Sequence, residues 1–452
     1  MTHSIPNVVS QITDELKVAF TKPTHARIVT LLLGAIITLS RRSISNVLRV
    51  LGPLAGGHWS SYHRVLSTRR WWSWSAARVV ARLVLQAFYP DSRETIFLAG
   101  DDTVDGHRGA KVYGKGCHRD AVRSSHSFIA FRWGHKWVVL CVLVHLPWSY
   151  RPWALPVLVA LYVPTEEDKK QGRRHKTPSE LMRQMLAVLI HWFPERKFVF
   201  AGDGGFGTHA LASFAHRHRK HLTVVTRFYP DANLYAEPSR VRGQKTGRPR
   251  KRGRKLSAPQ KVVARTRHRS RLTVDWYGGK TRRVEVVTGT GHWYRAGEGL
   301  VPLRWVYVHD LDGTHRDDYF FTTDLDSKPK QIIQTFTGRW SIEVMFAEMR
   351  AHLGLETTRG RSRNTVLRTA PCLFGAYTLI VLMYHRLSTR WQAIHGVQWI
   401  GKDTTTFSDV ITAVRRWLWI EWVFETTCAS VAFSKLPAPF RRTVLAAVTA
   451  AI

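Results

Sequence analysis

Apolar positions along this chain recur with two different periods, and the change from one to the other marks its main boundaries. Through residues 1–90 the spacing is helical, with Val18, Ile28, Leu31, Leu32 and Ile36 falling on one side of the turn. Residues 43–52 and 58–66 predict two short helices separated by a Gly-containing connector. The second is rich in Ser, His, Tyr and Arg. The pair fits a helix-turn-helix, and it equally fits an ordinary helical subdomain with exposed basic residues.

From about residue 94 the pattern becomes that of strands. The run 95–100 (TIFLAG) leads straight into Asp101, as a buried strand ending on a carboxylate would. The runs 127–133 (SFIAFRW) and 136–145 (KWVVLCVLVH) predict two further strands joined by a turn at Gly134. A helix over 178–193, a strand over 197–203, a helix over 206–219 and a strand over 222–227 follow. That alternation predicts a mixed α/β core.

Residues 229–310 interrupt it with a basic loop at 245–255 (KTGRPRKRGRK) and β-like runs at 272–277, 282–288 and 301–308. They read as a β-rich, basic insertion into the core. Arg248 and Arg250, on either side of Pro249, resemble a minor-groove AT-hook; a solvated basic loop touching phosphates non-specifically is the alternative. After Ser327-Lys328-Pro329 the pattern predicts one long helix from about 330 to 353, and the rest of the chain is mostly helical. The expected segments are therefore 1–90, 91–228, 229–310, 311–365 and 366–452.

Charge narrows the class of partner. The 452 residues include 68 Lys and Arg against 32 Asp and Glu, a formal charge of +36, with 44% hydrophobic residues. That hydrophobic share is globular, and the surplus calls for a polyanion or an anionic surface. The basic residues run through the whole chain, which favours nucleic acid over a single membrane-binding tail. The apolar run 27–39 is shorter than the roughly 20 residues a membrane helix needs. Arg151, Pro147, Pro152 and Pro156 interrupt 137–163, and 370–384 reads as a buried helix. The polar, amphipathic start of the chain does not read as a signal peptide, so no membrane and an intracellular location are expected. Cys117, Cys141, Cys372 and Cys428 are scattered and form no CxxC pair, which argues against a disulfide framework or a cysteine zinc site.

Candidate chemistry begins with an echo. Ala99-Gly100-Asp101 and Ala201-Gly202-Asp203 both end apolar strands on a carboxylate. A carboxylate there is costly unless it meets a cation, and two on one sheet can bind a hard metal ion through oxygen. Capping of the following turn is the plainer reading of either one alone. Further on, at about 100° per helical residue, Arg339, Glu343 and Arg350 share one stripe. Ile342, Met345, Phe346 and Met349 form a neighbouring apolar face, while Glu348 lies about 140° from Glu343. A surface ladder of ion pairs would give the same charge pattern.

The spacing Phe336-(2)-Arg339-(3)-Glu343-(6)-Arg350 resembles the Y-(2)-R-(3)-E-(6)-K signature of one branch of bacterial insertion-sequence DDE transposases. Asp101-Asp102-Thr103 is similar to the first motif of that family, and 201–207 (AGDGGFG) to its second. The resemblance covers about 95–365. Phe336 replaces the usual Tyr, removing a hydroxyl, and Arg350 replaces Lys, keeping the charge.

That resemblance implies an RNase H-like core, with helical regions before and after it and the insertion between the second Asp and the Glu. It implies that Asp101, Asp203 and Glu343 are the catalytic metal ligands, with Asp102 as the alternate to Asp101. They would hold two Mg²⁺ ions, with Mn²⁺ as a substitute. Arg339 and Arg350 would grip phosphates, and Phe336 and Trp340 would lie against DNA, Trp340 either on a displaced base or in the core. The implied activity is metal-dependent cleavage at transposon ends followed by strand transfer, on double-stranded DNA and as a homodimer. The implied setting is a bacterial cytoplasm, at the nucleoid. An inactive DNA-binding relative and a nuclease without strand transfer are the alternatives.

Overall fold

The computed structural model describes residues 5–120, 124, 127–238, 250–313, 315–396, 400–427 and 429–451. Up to Phe88 the described chain is helical, as its spacing predicts. Helices Ile44–Leu51 and Trp59–Ser67 form where the two short helices are expected. The Ser43 hydroxyl caps the first by accepting from the Asn46 N–H, and His58 caps the second by accepting from that of Ser60. Helix Lys22–Ile37 lies close against the first of them. A Cβ at Gly34 would stand 2.6 Å from Val47 Cγ1, so only glycine allows this approach.

Eleven strands follow among the described residues: β1 (Thr95–Gly106), β2 (Gly116–Arg119), β3 (Phe131–Val144), β4 (Trp153–Tyr162), β5 (Lys197–Gly202), β6 (Leu222–Arg227), β7 (Leu234–Tyr235), β8 (Ser270–Asp275), β9 (Thr281–Arg295), β10 (Gly299–Asp310) and β11 (Asp318–Thr322). They form a single sheet in the order β2-β3-β1-β5-β6-β11-β10-β9-β7, with β4 also on β3 and β8 also on β9. Strand β3 is antiparallel to β1 and β4, whereas β5 and β6 run parallel to β1 and to each other. The expected mixed α/β core is present.

Two differences from the sequence reading have physical causes. First, β1 does not end at Asp101 but continues to Gly106, because β3 supplies partners along its whole length. Second, Gly134 is not a turn. It lies inside one continuous β3, opposite Gly106, where a Cβ would fall 1.8 Å from the Asp105 carbonyl oxygen. The third strand of the group is instead β4, whose Pro156 sits beside an irregularity in the β3 pairing. The β-rich region is continuous with this sheet. Strands β9 and β10 join the core sheet edge to edge, through β11 pairing with β6.

The run Trp137–Val144 is buried throughout, so both faces of β3 are covered. Helices Ser73–Phe88, Pro178–Trp192 and Arg363–Arg386 pack on this part of the sheet. The last of these is long and apolar enough to cross a membrane, but 72% of its apolar window is buried inside the protein. The two helical ends of the chain also meet. Fully buried Arg415 donates to the Ile36 carbonyl, and Arg368 donates to those of Leu66 and Trp71.

Candidate active site

Parallel pairing of β1 with β5 sets Ala99 beside Ala201 and Gly100 beside Gly202. Asp101 and Asp203 are the next residue of each strand, so the Ala-Gly-Asp echo is a register on one sheet. Asp101 remains within β1, whereas Asp203 leaves β5 and opens the short turn Gly204–Phe206. Their environments differ accordingly. The Asp101 side chain is 19% exposed and that of Asp203 44%. Burial pushes the Asp101 carboxyl up to about 7; Arg339 pulls it down, while Asp102 and Asp203 push it further up. Burial also raises Asp102, against the pull of Lys136, whose ammonium is 3.1 Å away.

The third segment is two helices, Pro329–Gly338 and Ser341–His352, not the single long one expected. The break falls at Arg339-Trp340, where Arg339 turns inward. Its Nη1 donates to Asp101 Oδ2 at 2.7 Å and its Nη2 to Glu343 Oε1 at 3.0 Å. Asp203 also acts on it electrostatically. Asp101, Asp203 and Glu343 therefore gather around one guanidinium. The Glu343 side chain remains 46% exposed.

The other residues singled out from sequence divide sharply. Phe336 is fully buried, its ring 4.3 Å from that of Phe320, so it offers a DNA strand no surface. The missing hydroxyl is explained by that core position. Arg339 is 5% exposed and committed to carboxylates, which corrects its expected grip on phosphate. Arg350 donates to Thr103 Oγ1 and, at 3.0 Å, to Glu356, and stays one-third exposed. Trp340 is half-buried and lines a cavity of about 640 Å³ with Phe97, Tyr150 and Trp276. Arg250 is exposed, while Arg248 and most of the Gly-Arg-Pro loop lie outside the described residues, as does Cys428. Glu348 points elsewhere, accepting from the Tyr377 hydroxyl at 2.6 Å.

Sequence reasoning missed the rest of the charge network. Arg227, at the end of β6, stands 3.7 Å from Asp203 and 3.3 Å from Asp318, at the start of β11. Burial raises the carboxyl of Asp318, and Asp203 adds to the rise. Tyr277 also feels Asp318, Arg227, Arg339 and Glu343. The available signal was a charged residue at each of two strand ends. Nothing in one sequence shows that β6 and β11 are neighbours.

The donor set suits a hard cation. Among the described residues, Asp101, Asp102, Asp203, Asp318 and Glu343 are five carboxylates set against Arg339, Arg227, Lys136 and Arg316, an acidic cluster in a chain with a formal charge of +36. The three expected ligands do not, however, close on one another directly, because Arg339 stands between Asp101 and Glu343. Among the described residues, the tight group of ligand atoms, all within 4.8 Å of one another, is Asp105, His107 and His135.

Comparison with known proteins gives the chain a family. Residues 15–283, more than half of the chain, match the family model "DDE superfamily endonuclease". Residues 299–384 match a model for the archaeal transposase ISC1217. The first match contains Asp101 and Asp203, and the second contains Glu343. A search of curated proteins gave no match. Among solved structures, the chain is similar to the piggyBac transposase in its synaptic complex with hairpin DNA. The identity is 11% and the TM-score 0.41, over 98% of this chain and 83% of that one. By the extent of the first match, this chain belongs to the DDE superfamily endonucleases.

Proposed function

We propose that this protein is a DNA transposase of the insertion-sequence branch with the Y-(2)-R-(3)-E-(6)-K motif, cutting at element ends and joining them to target DNA. The observation that carries the reading is the convergence of Asp101, Asp203 and Glu343 on Arg339. The order β4-β3-β1-β5-β6, antiparallel then parallel, supports an RNase H-like core beneath them.

In this proposal Asp101, Asp203 and Glu343 hold two Mg²⁺ ions, with Asp102 the alternate first ligand. Bound there, the ions would activate the attacking oxygen and stabilise the leaving one. The chain's own side chains do the remaining work. Arg339 fixes the rotamers of Asp101 and Glu343 by holding one oxygen of each, while the other oxygen of Asp101 accepts from the Asp102 N–H. Arg350, tied to Thr103 and Glu356, locks the helix of Glu343 to β1 and keeps an exposed edge for phosphate. The exposed Arg250 and the Trp59–Ser67 helix supply positive surface for the element ends. The partners are double-stranded DNA and a second copy of the chain, in a bacterial cytoplasm.

The test is Glu343→Gln with Mg²⁺ on DNA that carries the element ends. Cleavage should vanish while DNA binding persists. Normal nicking by this variant would sink the proposal. Strand transfer is checked by recovering joints in a target plasmid with the unaltered protein, and cleavage without joints would mean a nuclease only.

A further inference from the structure

We propose that Asp105, His107 and His135 form a separate structural site for a zinc ion. It lies beyond the carboxylates of the proposed active centre and does not depend on that assignment. Asp105 is four residues past Asp101 on β1, His107 follows the end of that strand, and His135 is the partner of Asp105 on β3.

The geometry is that of ligands around an absent centre. His135 Nδ1 lies 3.4 Å from Asp105 Oδ1, and His107 Nε2 lies 3.8 Å from Asp105 Oδ2. Neither contact is a hydrogen bond. The first matches the edge of a tetrahedron, about 3.3–3.6 Å, around an ion with bonds of about 2.0–2.2 Å to nitrogen and oxygen, and the second, at 3.8 Å, is slightly longer. The imidazole rings stand 4.5 Å apart, edge to face. Two imidazoles and a carboxylate are a donor set for zinc rather than for magnesium, which prefers oxygen alone.

The surroundings hold these donors as metal ligands are held. His135 Nε2 contacts the Tyr113 carbonyl at 2.9 Å, which leaves Nδ1 turned to Asp105. Each Asp105 oxygen accepts one hydrogen bond, from the His135 N–H and from Trp137 Nε1, and keeps lone pairs free. Asp105 is completely buried, and its ion-pair neighbours among the described residues are the two histidines, with no Lys or Arg within 4.0 Å. Thr358 Oγ1, 3.2 Å from His107 Nε2, marks the side where a hydroxyl or a water completes the shell. Thr358 follows the helix of Glu343, so the ion would tie that segment to β1 and β3.

The test measures zinc in the full-length protein, incubated with ZnCl₂ and then dialysed, by mass spectrometry. About one ion per chain should remain in the unaltered protein, and the same in Asp203→Asn/Glu343→Gln, because the active-centre carboxylates take no part. His107→Ala/His135→Ala should retain less than a tenth of that. Zinc absent from the unaltered protein, or unchanged in the histidine variant, overturns the proposal. Should that variant fail to fold, the unaltered protein loaded with Co²⁺ decides. The strong visible absorption of a tetrahedral site supports the proposal, and its absence refutes it.

Discussion

Arg339 and Asp101, 238 residues apart in the chain, are joined by a 2.7 Å hydrogen bond from guanidinium Nη1 to carboxylate Oδ2. The same guanidinium holds Glu343 at 3.0 Å, so one side chain sets the distance between a strand and a helix. Arg339→Ala leaves Asp101 buried beside Asp102 and Asp203 with no cation against it. We expect a loss of about 3 kcal/mol in urea unfolding and no measurable DNA cleavage. Arg339→Lys keeps the charge but cannot hold two carboxylates through separate nitrogens. It should recover most of the stability and little of the cleavage. Equal recovery of both would show that charge alone matters here.

The raised Asp101 carboxyl has a consequence for stability without divalent ions. Its pKa is about 7 in the folded chain against an ordinary 3.8. Between those values the folded protein keeps a proton that the unfolded chain has released. Stability therefore falls as pH rises through this window and levels off above about 7. Urea midpoints measured with chelator from pH 4 to 8 should show that fall, and Asp101→Asn should flatten it. Mg²⁺ added at pH 8 should restore stability to the unaltered protein and not to the variant. Identical profiles for the two would remove Asp101 as the cause.

How far the sequence carried this picture depends on the kind of contact involved. Strands β5 and β6 and the helix Pro178–Trp192 fall where their apolar spacing puts them, since each is bounded by local turn signals. The Ala-Gly-Asp echo correctly anticipated neighbouring positions, because parallel pairing aligns like with like. Gly134 was misread, since a glycine needed for close approach looks in one sequence like a glycine in a turn. Arg339, Glu343 and Arg350 were expected on one helical stripe, but the helix breaks at Arg339-Trp340, and the partners of the two arginines, Asp101, Thr103 and Glu356, come from other elements. The role of Arg227 depends on β6 meeting β11, a pairing that no local pattern encodes. Local order was legible; long-range partnership was not.

Asp101 and Asp102 are adjacent and alternate in direction along β1, so substitution separates them. Asp102 is engaged by Lys136 at 3.1 Å, while Asp101 faces Arg339 and Asp203. Asp101→Asn should lower single-turnover cleavage by about a thousandfold or more, as loss of a direct metal ligand does. Asp102→Asn should lower it by no more than about tenfold. The reverse order would move the first ligand to Asp102.

The charge of +36 predicts how DNA binding responds to salt. Counterion release from six or more phosphate contacts should weaken binding about a thousandfold between 50 and 200 mM salt. Replacing the exposed basic residues Arg250, Lys251 and Arg252 by Ala should make the dependence shallower without altering Mg²⁺-dependent cleavage of saturated complexes. Fluorescence anisotropy against salt concentration measures the slope. An affinity indifferent to salt would contradict a phosphate-gripping surface.

Two glycines provide opposite outcomes for one chemical change. At Gly134 a Cβ would stand 1.8 Å from the Asp105 carbonyl oxygen, a backbone atom fixed by β1–β3 pairing. Gly134→Ala must therefore push the strands apart where Asp105 and His135 face each other, at a cost of about 3 kcal/mol or more. Gly375 lies within helix Arg363–Arg386, and a Cβ there meets nothing within 4 Å. Gly375→Ala should stabilise by about 0.5–1 kcal/mol through the lost backbone freedom of glycine in the unfolded chain. Urea unfolding of both variants measures the pair. If Gly134→Ala proves as harmless as Gly375→Ala, β1 and β3 do not approach this closely, and the contacts of Asp105 with His135 must be wider than described.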